Sequence, residues 1–206
     1  MEILDKNNRD IEILCEFAKN TNRNITFKEI PYPTSYGFRL TKYRTTVYIH
    51  NNQDESSYFI CFWDPYHKIG EYTNFSGVFI PISLDRTKTF NIREKNILDK
   101  LNPFSDSKNC KTGFRDFDSK VVITGNDPPL IASFFHDKKV QNLIIQALKI
   151  KQAMWIGLNN VNVEFVPGLK NKSHFCIYNS QGWFLENSQI EKLFEIIEEI
   201  RILIGK

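Results

Sequence analysis

Ser57-Tyr58-Phe59-Ile60-Cys61-Phe62-Trp63 is the stretch on which the fold turns. After its first residue every position is apolar or aromatic, and it contains neither Gly nor Pro. A run this short and uninterrupted reads as a strand, and the absence of polar alternation means that both of its faces are covered. It therefore belongs at the centre of a sheet. Working back from it, Asn51-Asn52-Gln53-Asp54-Glu55 is a polar turn, and Tyr43 to His50 is a second strand of β-branched and aromatic residues. Tyr36, Phe38 and Leu40 alternate with Gly37, Arg39 and Thr41, the period of a half-buried strand. Residues 25–30 read as a further strand, stopped by Pro31-Tyr32-Pro33. Before it, Ile11, Leu14, Cys15 and Ala18 recur at helical spacing, which predicts an amphipathic helix over 8–20.

Working forward, Asp64-Pro65-Tyr66-His67 breaks the central strand. Val78 to Leu84 predicts another strand, with Pro81 placing it at an edge or a bulge. Residues 93–101 read as a short helix with Ile97, Leu98 and Leu101 inward, and 102–112 has the composition of an exposed loop. Residues 120–124 predict a strand, followed by a turn at Gly125-Asn126-Asp127-Pro128. There Asp127 is an N-cap and Pro128 takes the first helical position. A second helix starts at the Asp137 cap, with Val140, Leu143, Ile144, Ala147 and Leu148 as its apolar stripe. Short strands are expected at 153–158, 161–166, 174–178 and 183–186. Ser188 and Glu191 have the spacing of a capping box before a long C-terminal helix carrying Ile190, Leu193, Phe194, Ile197 and Ile200. The fold class is α+β: a mainly antiparallel sheet covered by N-terminal, central and C-terminal amphipathic helices. The reading is a single domain over 1–206, with a soft subdivision near 102–113 as the alternative.

Composition narrows the function classes. The formal net charge is +3, and the excess of cations falls in the last third, where 138–206 holds nine basic and six acidic residues. A nucleic-acid binder concentrates its cations in a stripe, so nucleic acid is disfavoured. Cys15, Cys61, Cys110 and Cys176 are far apart and form no C-x-x-C, so no zinc knuckle is encoded. The first, second and fourth sit in apolar runs and read as buried free thiols, whereas Cys110 lies in a polar loop and is the reactive candidate. The N-terminal residues do not read as a signal peptide, and no run reaches the roughly 18 apolar residues that span a bilayer. The expected location is cytoplasmic, with no transmembrane segment.

The densest set of titratable groups is Asp64, His67 and Glu71, whose 3 and 4 spacing would place them on one helical face able to hold a divalent metal. Pro65 and Gly70 oppose a helix there, and a turn after a strand is the preferred reading. Gly125-Asn126-Asp127-Pro128-Pro129 sits where phosphates dock on helix N–H groups, yet its prolines remove donors and its acidic cap repels an anion. His174 and Cys176 would point to the same side of a strand, but no second ligand pair is visible. Tyr36, Arg39, Arg44 and Tyr48 form a basic-aromatic segment that could stack single-stranded bases. No metal or cofactor is expected.

Phe117-Asp118-Ser119-Lys120-Val121-Val122-Ile123, with Asp127-Pro128 and Ala132, resembles the F-D-x-x-F-x-V-x-x-x-D-x-x-x-A pattern of a bacterial family of unknown function. In that family an α+β domain is usually tethered to membrane helices. The likeness lies within 117–150, and Val121 stands where the family favours an aromatic. It implies a fold and no activity. The function that these observations favour is a non-enzymatic binding or interaction module whose partner is another protein, met through sheet edges or the 64–75 and 102–113 loops. The alternatives are a metal-dependent or thiol hydrolase assembled from distant residues, and a single-stranded nucleic-acid binder.

Overall fold

Strand alternation across the central stretch sorts its side chains onto two faces, and both faces are filled. The structure is a computed structural model and describes residues 2–31, 43–51, 56–64, 74–97, 99 and 109–205. Its helices are α1 (Glu2–Asn20), α2 (Arg115–Asp118), α3 (Pro128–Phe134), α4 (Lys138–Leu148) and α5 (Asn187–Ile204). The strands are β1 (Ile25–Pro31), β2 (Tyr43–His50), β3 (Tyr58–Trp63), β4 (Asn74–Ile82), β5 (Phe90–Glu94), β6 (Val121–Gly125), β7 (Met154–Leu158) and β8 (Ser173–Asn179). All eight form one sheet in the order β1-β2-β3-β4-β8-β7-β5-β6, and every neighbouring pair is antiparallel. The expected α+β class is what the chain adopts.

The topology explains the order. Strands β1 to β4 are laid side by side, β5 and β6 form the far edge, and the chain returns through β7 and β8 to fill the middle. On one face Val47, Phe59, Val78, Ile156 and Ile177 meet Phe17 of α1, Ile144 of α4 and Ile197 of α5 in the main core. The other face carries Tyr48, Tyr58, Ile60, Phe75, Phe79 and Tyr178, and among the described residues its cover is the segment between β7 and β8. Strand β3 is thus buried on both sides, as its apolar run predicts. Among the described residues no helix is long and apolar enough to cross a membrane.

Two predicted caps form as expected. Asp127 accepts from the Leu130 amide at 3.0 Å, and Asp137 from the Lys139 amide at 2.7 Å. Six expectations are corrected. Strand β4 is central, not an edge. Pro81 is tolerated because its register partner His174 sends its own amide to Asn159 Oδ1 at 2.8 Å, so no ladder bond is asked of the proline. Arg93 and Glu94 belong to β5 instead of a helix. The Arg93 guanidinium grips both Asp99 oxygens at 2.6 Å, and Ile97 is 75% exposed. Residues 161–166 are a loop, because the Asn162 side chain caps the Glu164 amide at 3.1 Å and bonds stay local. Residues 183–186 are not a strand, since the Phe184 amide goes to Ser76 Oγ at 2.7 Å. Ser188 is not a cap. Helix α5 begins one residue before it, its hydroxyl turns to Glu186 Oε1, and Glu191 pairs with Arg23. Cys15 is exposed, because Leu14, Phe17 and Ala18 set the buried face of α1. The predicted strand at 36–40, Leu98, Leu101 and most of the 102–113 loop lie outside the described residues.

Candidate functional site

The 159–172 segment that covers this second face is held by asparagines at its start. Asn159 adopts a left-handed φ of 51°, as Asn171 does at 59°, a conformation that asparagine tolerates better than most residues. The Asn159 amide nitrogen donates to the Lys88 carbonyl at 2.9 Å and to Ser173 Oγ at 2.8 Å. Its oxygen accepts from Ser173 Oγ at 3.0 Å and from the His174 amide. One side chain thereby ties the beginning of the segment to its end. Asn160 lies over Gly157, where any Cβ would collide with its amide. It donates to Tyr178 Oη at 2.9 Å and to Asn91 Oδ1, and it accepts from Cys176 Sγ at 3.3 Å. Beyond these anchors Val161, Val163, Val166 and Leu169 turn down onto the sheet.

Between this segment and the sheet lies a cavity of about 760 Å³. Its floor is a stack of rings: Phe62 lies 5.3 Å from Phe75 at 21° and 5.6 Å from Phe165 at 22°. Val161, Val163 and Leu169 form an apolar wall, and among the described residues three cations, Arg44, Arg86 and Lys172, line the cavity with one carboxylate, Glu164. Glu164 pairs with Arg86 and accepts from the Asn171 amide at 3.1 Å, which fixes the carboxylate to the segment. Arg44 donates from Nε to Asp64 Oδ2 at 2.9 Å, and its guanidinium lies 5.9 Å from the Phe62 ring centre. The Asp64 side chain is fully buried.

His174 lines the same cavity and is 8% exposed. Its Nε2 is buried and makes no hydrogen bond among the described residues. Burial pushes the imidazole below its usual pKa and the nearby Arg86 charge adds to this, whereas the backbone groups of Val161 and Lys172 and the Glu164 carboxylate oppose it. The imidazole is therefore neutral at pH 7. Cys176 is on the same side of β8, as the sequence predicts, but its single S–H is shared between the Gly157 carbonyl at 3.4 Å and Asn160 Oδ1, and burial raises its pKa. Burial likewise raises Cys61, with Asp10 contributing. Among the described residues no group of three His, Cys, Asp or Glu is placed to hold a metal.

The structure brings together two residues that the sequence put in different hypotheses, Asp64 and Arg44. Tyr48 is buried between the sheet and its cover, so its ring is not presented to solvent. His67, Glu71, Tyr36 and Arg39 lie outside the described residues. The sequence reading missed the pocket itself, along with Arg86, Lys172 and the Asn159-Asn160 anchor. The available signal was the pair of asparagines directly after a strand. No match to the chain was found among protein-family models, curated proteins or solved structures.

Proposed function

We propose that the chain is a non-enzymatic binding module that seats its ligand in the pocket on the face of the sheet covered by the 159–172 segment. The observation that carries this reading is the cavity itself. Its volume falls within the roughly 300–1,000 Å³ of sites that hold small molecules. It combines an apolar floor with a few convergent polar groups, and it is built by a segment tied at both ends. Hydrolase chemistry has less support. The Asp64 carboxylate is buried and engaged by Arg44, and thiols with raised pKa values are poor nucleophiles. The resemblance of 117–150 to a bacterial family adds an expectation of fold and none of activity.

A fragment screen by ligand-observed NMR tests the proposal. Hits are expected on the native chain, with loss in an Asn162→Trp variant that caps the cavity mouth. Hits that persist undiminished in the capped variant would place binding elsewhere. A second reading, contact with another protein, is favoured by one feature. Among the described residues no strand pairs with the outer side of β1, and Phe27 and Ile30 are exposed there. It predicts that a partner captured from the source cell is lost with Phe27→Lys and Ile30→Lys but kept by the capped variant. Retention by both variants would remove this edge from consideration.

A further inference from the structure

We propose that the pocket's ligand is a small organic anion, a carboxylate or a phosphate ester, with its charged group held by Arg86, Lys172 and His174 and its apolar body against Phe62 and Phe165. The inference rests on the pocket reading above and follows from which lining groups still have bonding capacity. Asn159 and Asn160 are spent on the fold, because their amide nitrogens and oxygens all have protein partners. Asn162 Oδ1 is taken by the Glu164 amide. Arg44 is engaged by Asp64. Beside the neutral Asn162 amide nitrogen, three charged or titratable groups remain. The Lys172 ammonium has no hydrogen-bond or ion-pair partner among the described residues, its backbone amide being engaged by the Leu169 carbonyl. The Arg86 guanidinium is half exposed and engaged by Glu164 through one of its nitrogens. His174 Nε2 is buried, lines the cavity and is unpartnered.

Two cations and an imidazole in a cavity that also presents the Phe62 and Phe165 rings match a ligand with one charged end and an apolar body. A neutral ligand would leave Lys172 and Arg86 unused, and a cation would be repelled by both. An unpaired buried ring nitrogen is costly to leave unmade, and an anion would satisfy it once the imidazole takes up a proton. The charges facing His174 are Arg86 from the β4–β5 connection, Glu164 and Lys172 from the 159–172 segment, and Arg44 from β2 across the cavity. Burial, with the Arg86 charge adding to it, holds the empty site's imidazole below its usual pKa, and the Val161 and Lys172 backbone groups and Glu164 oppose this. A bound anion counters the cations. It raises the imidazole pKa relative to the empty site, so binding takes up a proton. Affinity is then greatest below the empty-site pKa and falls as pH rises through the bound-state pKa.

The test titrates naphthoate, naphthyl phosphate and neutral naphthol into the full chain, read by calorimetry and by the NMR shifts of residues around the cavity. One or both anions are expected to bind about tenfold or more tightly than naphthol, the worth of one charge-assisted hydrogen bond. The tighter of the two identifies the charged group. Lys172→Met, a change at an accessible side chain, should weaken the anions several-fold and leave naphthol unaltered. His174→Gln should flatten the pH dependence of anion binding. Naphthol binding in the pocket as tightly as the anions would overturn the ligand class while leaving the pocket reading intact. Anion affinity indifferent to Lys172→Met and to pH would overturn the assigned residues. If none of the three probes shifts the cavity residues, the pocket reading falls as well.

Discussion

Arg44 is the residue whose loss should be felt in two places. Its removal deprives the fully buried Asp64 carboxylate of a cation, and a buried charge without its partner is expensive. Arg44→Met should therefore destabilise the chain by about 1–3 kcal/mol in urea unfolding. This is below the cost of breaking a wholly buried pair, because the guanidinium is partly in water. Adding Asp64→Asn should restore part of the loss, and a double variant no better than Arg44→Met alone would refute the pairing. Glu198 gives a prediction with a sign in pH. Burial alone would raise its carboxyl pKa, yet hydrogen bonds from Ser57, Arg201, Asn51 and Ser56 hold it below the usual value. A depressed folded-state pKa contributes stability above the unfolded-state pKa, and this is lost as pH falls through the folded-state value. Glu198→Gln should lower stability at neutral pH and flatten the acid limb of the pH–stability curve below about pH 4.5. An unchanged acid limb would argue against this cluster. For the thiols, a neutral-pH label should reach Cys15 in the native chain and reach Cys61 and Cys176 only on unfolding.

Among the elements, the 159–172 segment has no helix or strand of its own and is held by side-chain hydrogen bonds. Asn159→Ala removes five hydrogen bonds from one side chain and puts alanine at a positive φ. It should cost about 1–3 kcal/mol and speed amide exchange across 160–172 more than in the strands. Uniform acceleration over the whole sheet would mean that the segment is not a separate unit. This segment also shows where the sequence stops being legible. Val161 and Val163 have the spacing and β-branching of a strand, and with Val166, three positions on, they face one surface. Their backbone bonds are nevertheless decided by Asn162 and by tertiary anchors at Asn159 and Asn160, whose partners Lys88, Asn91 and Tyr178 are distant in sequence. The same holds for Pro81, which a local rule sends to an edge. Its place in a central strand depends on where the His174 amide points. Helices α3 and α4 were readable because Asp127 and Asp137 act on amides two and three residues away.

At the scale of the molecule, one sheet has two unlike faces. Helices seal one, and there Phe59 is completely buried. Phe59→Ala should cost about 3–5 kcal/mol through lost burial and a residual cavity. On the other face Phe62 is partly exposed and floors the pocket. Phe62→Ala should cost less stability and more binding. The apolar run from Tyr58 to Trp63 made a doubly covered strand legible, but it could not say that one cover is a helix layer and the other a loop enclosing a cavity. The central claim, that this second face receives a ligand, is tested most directly by mapping amide and side-chain NMR shifts while naphthoate is added to the full chain. The account predicts saturable shifts confined to Phe62, Phe165, Lys172, His174 and their neighbours. Shifts that centre on the helix-covered face, or scatter without saturating, would contradict it.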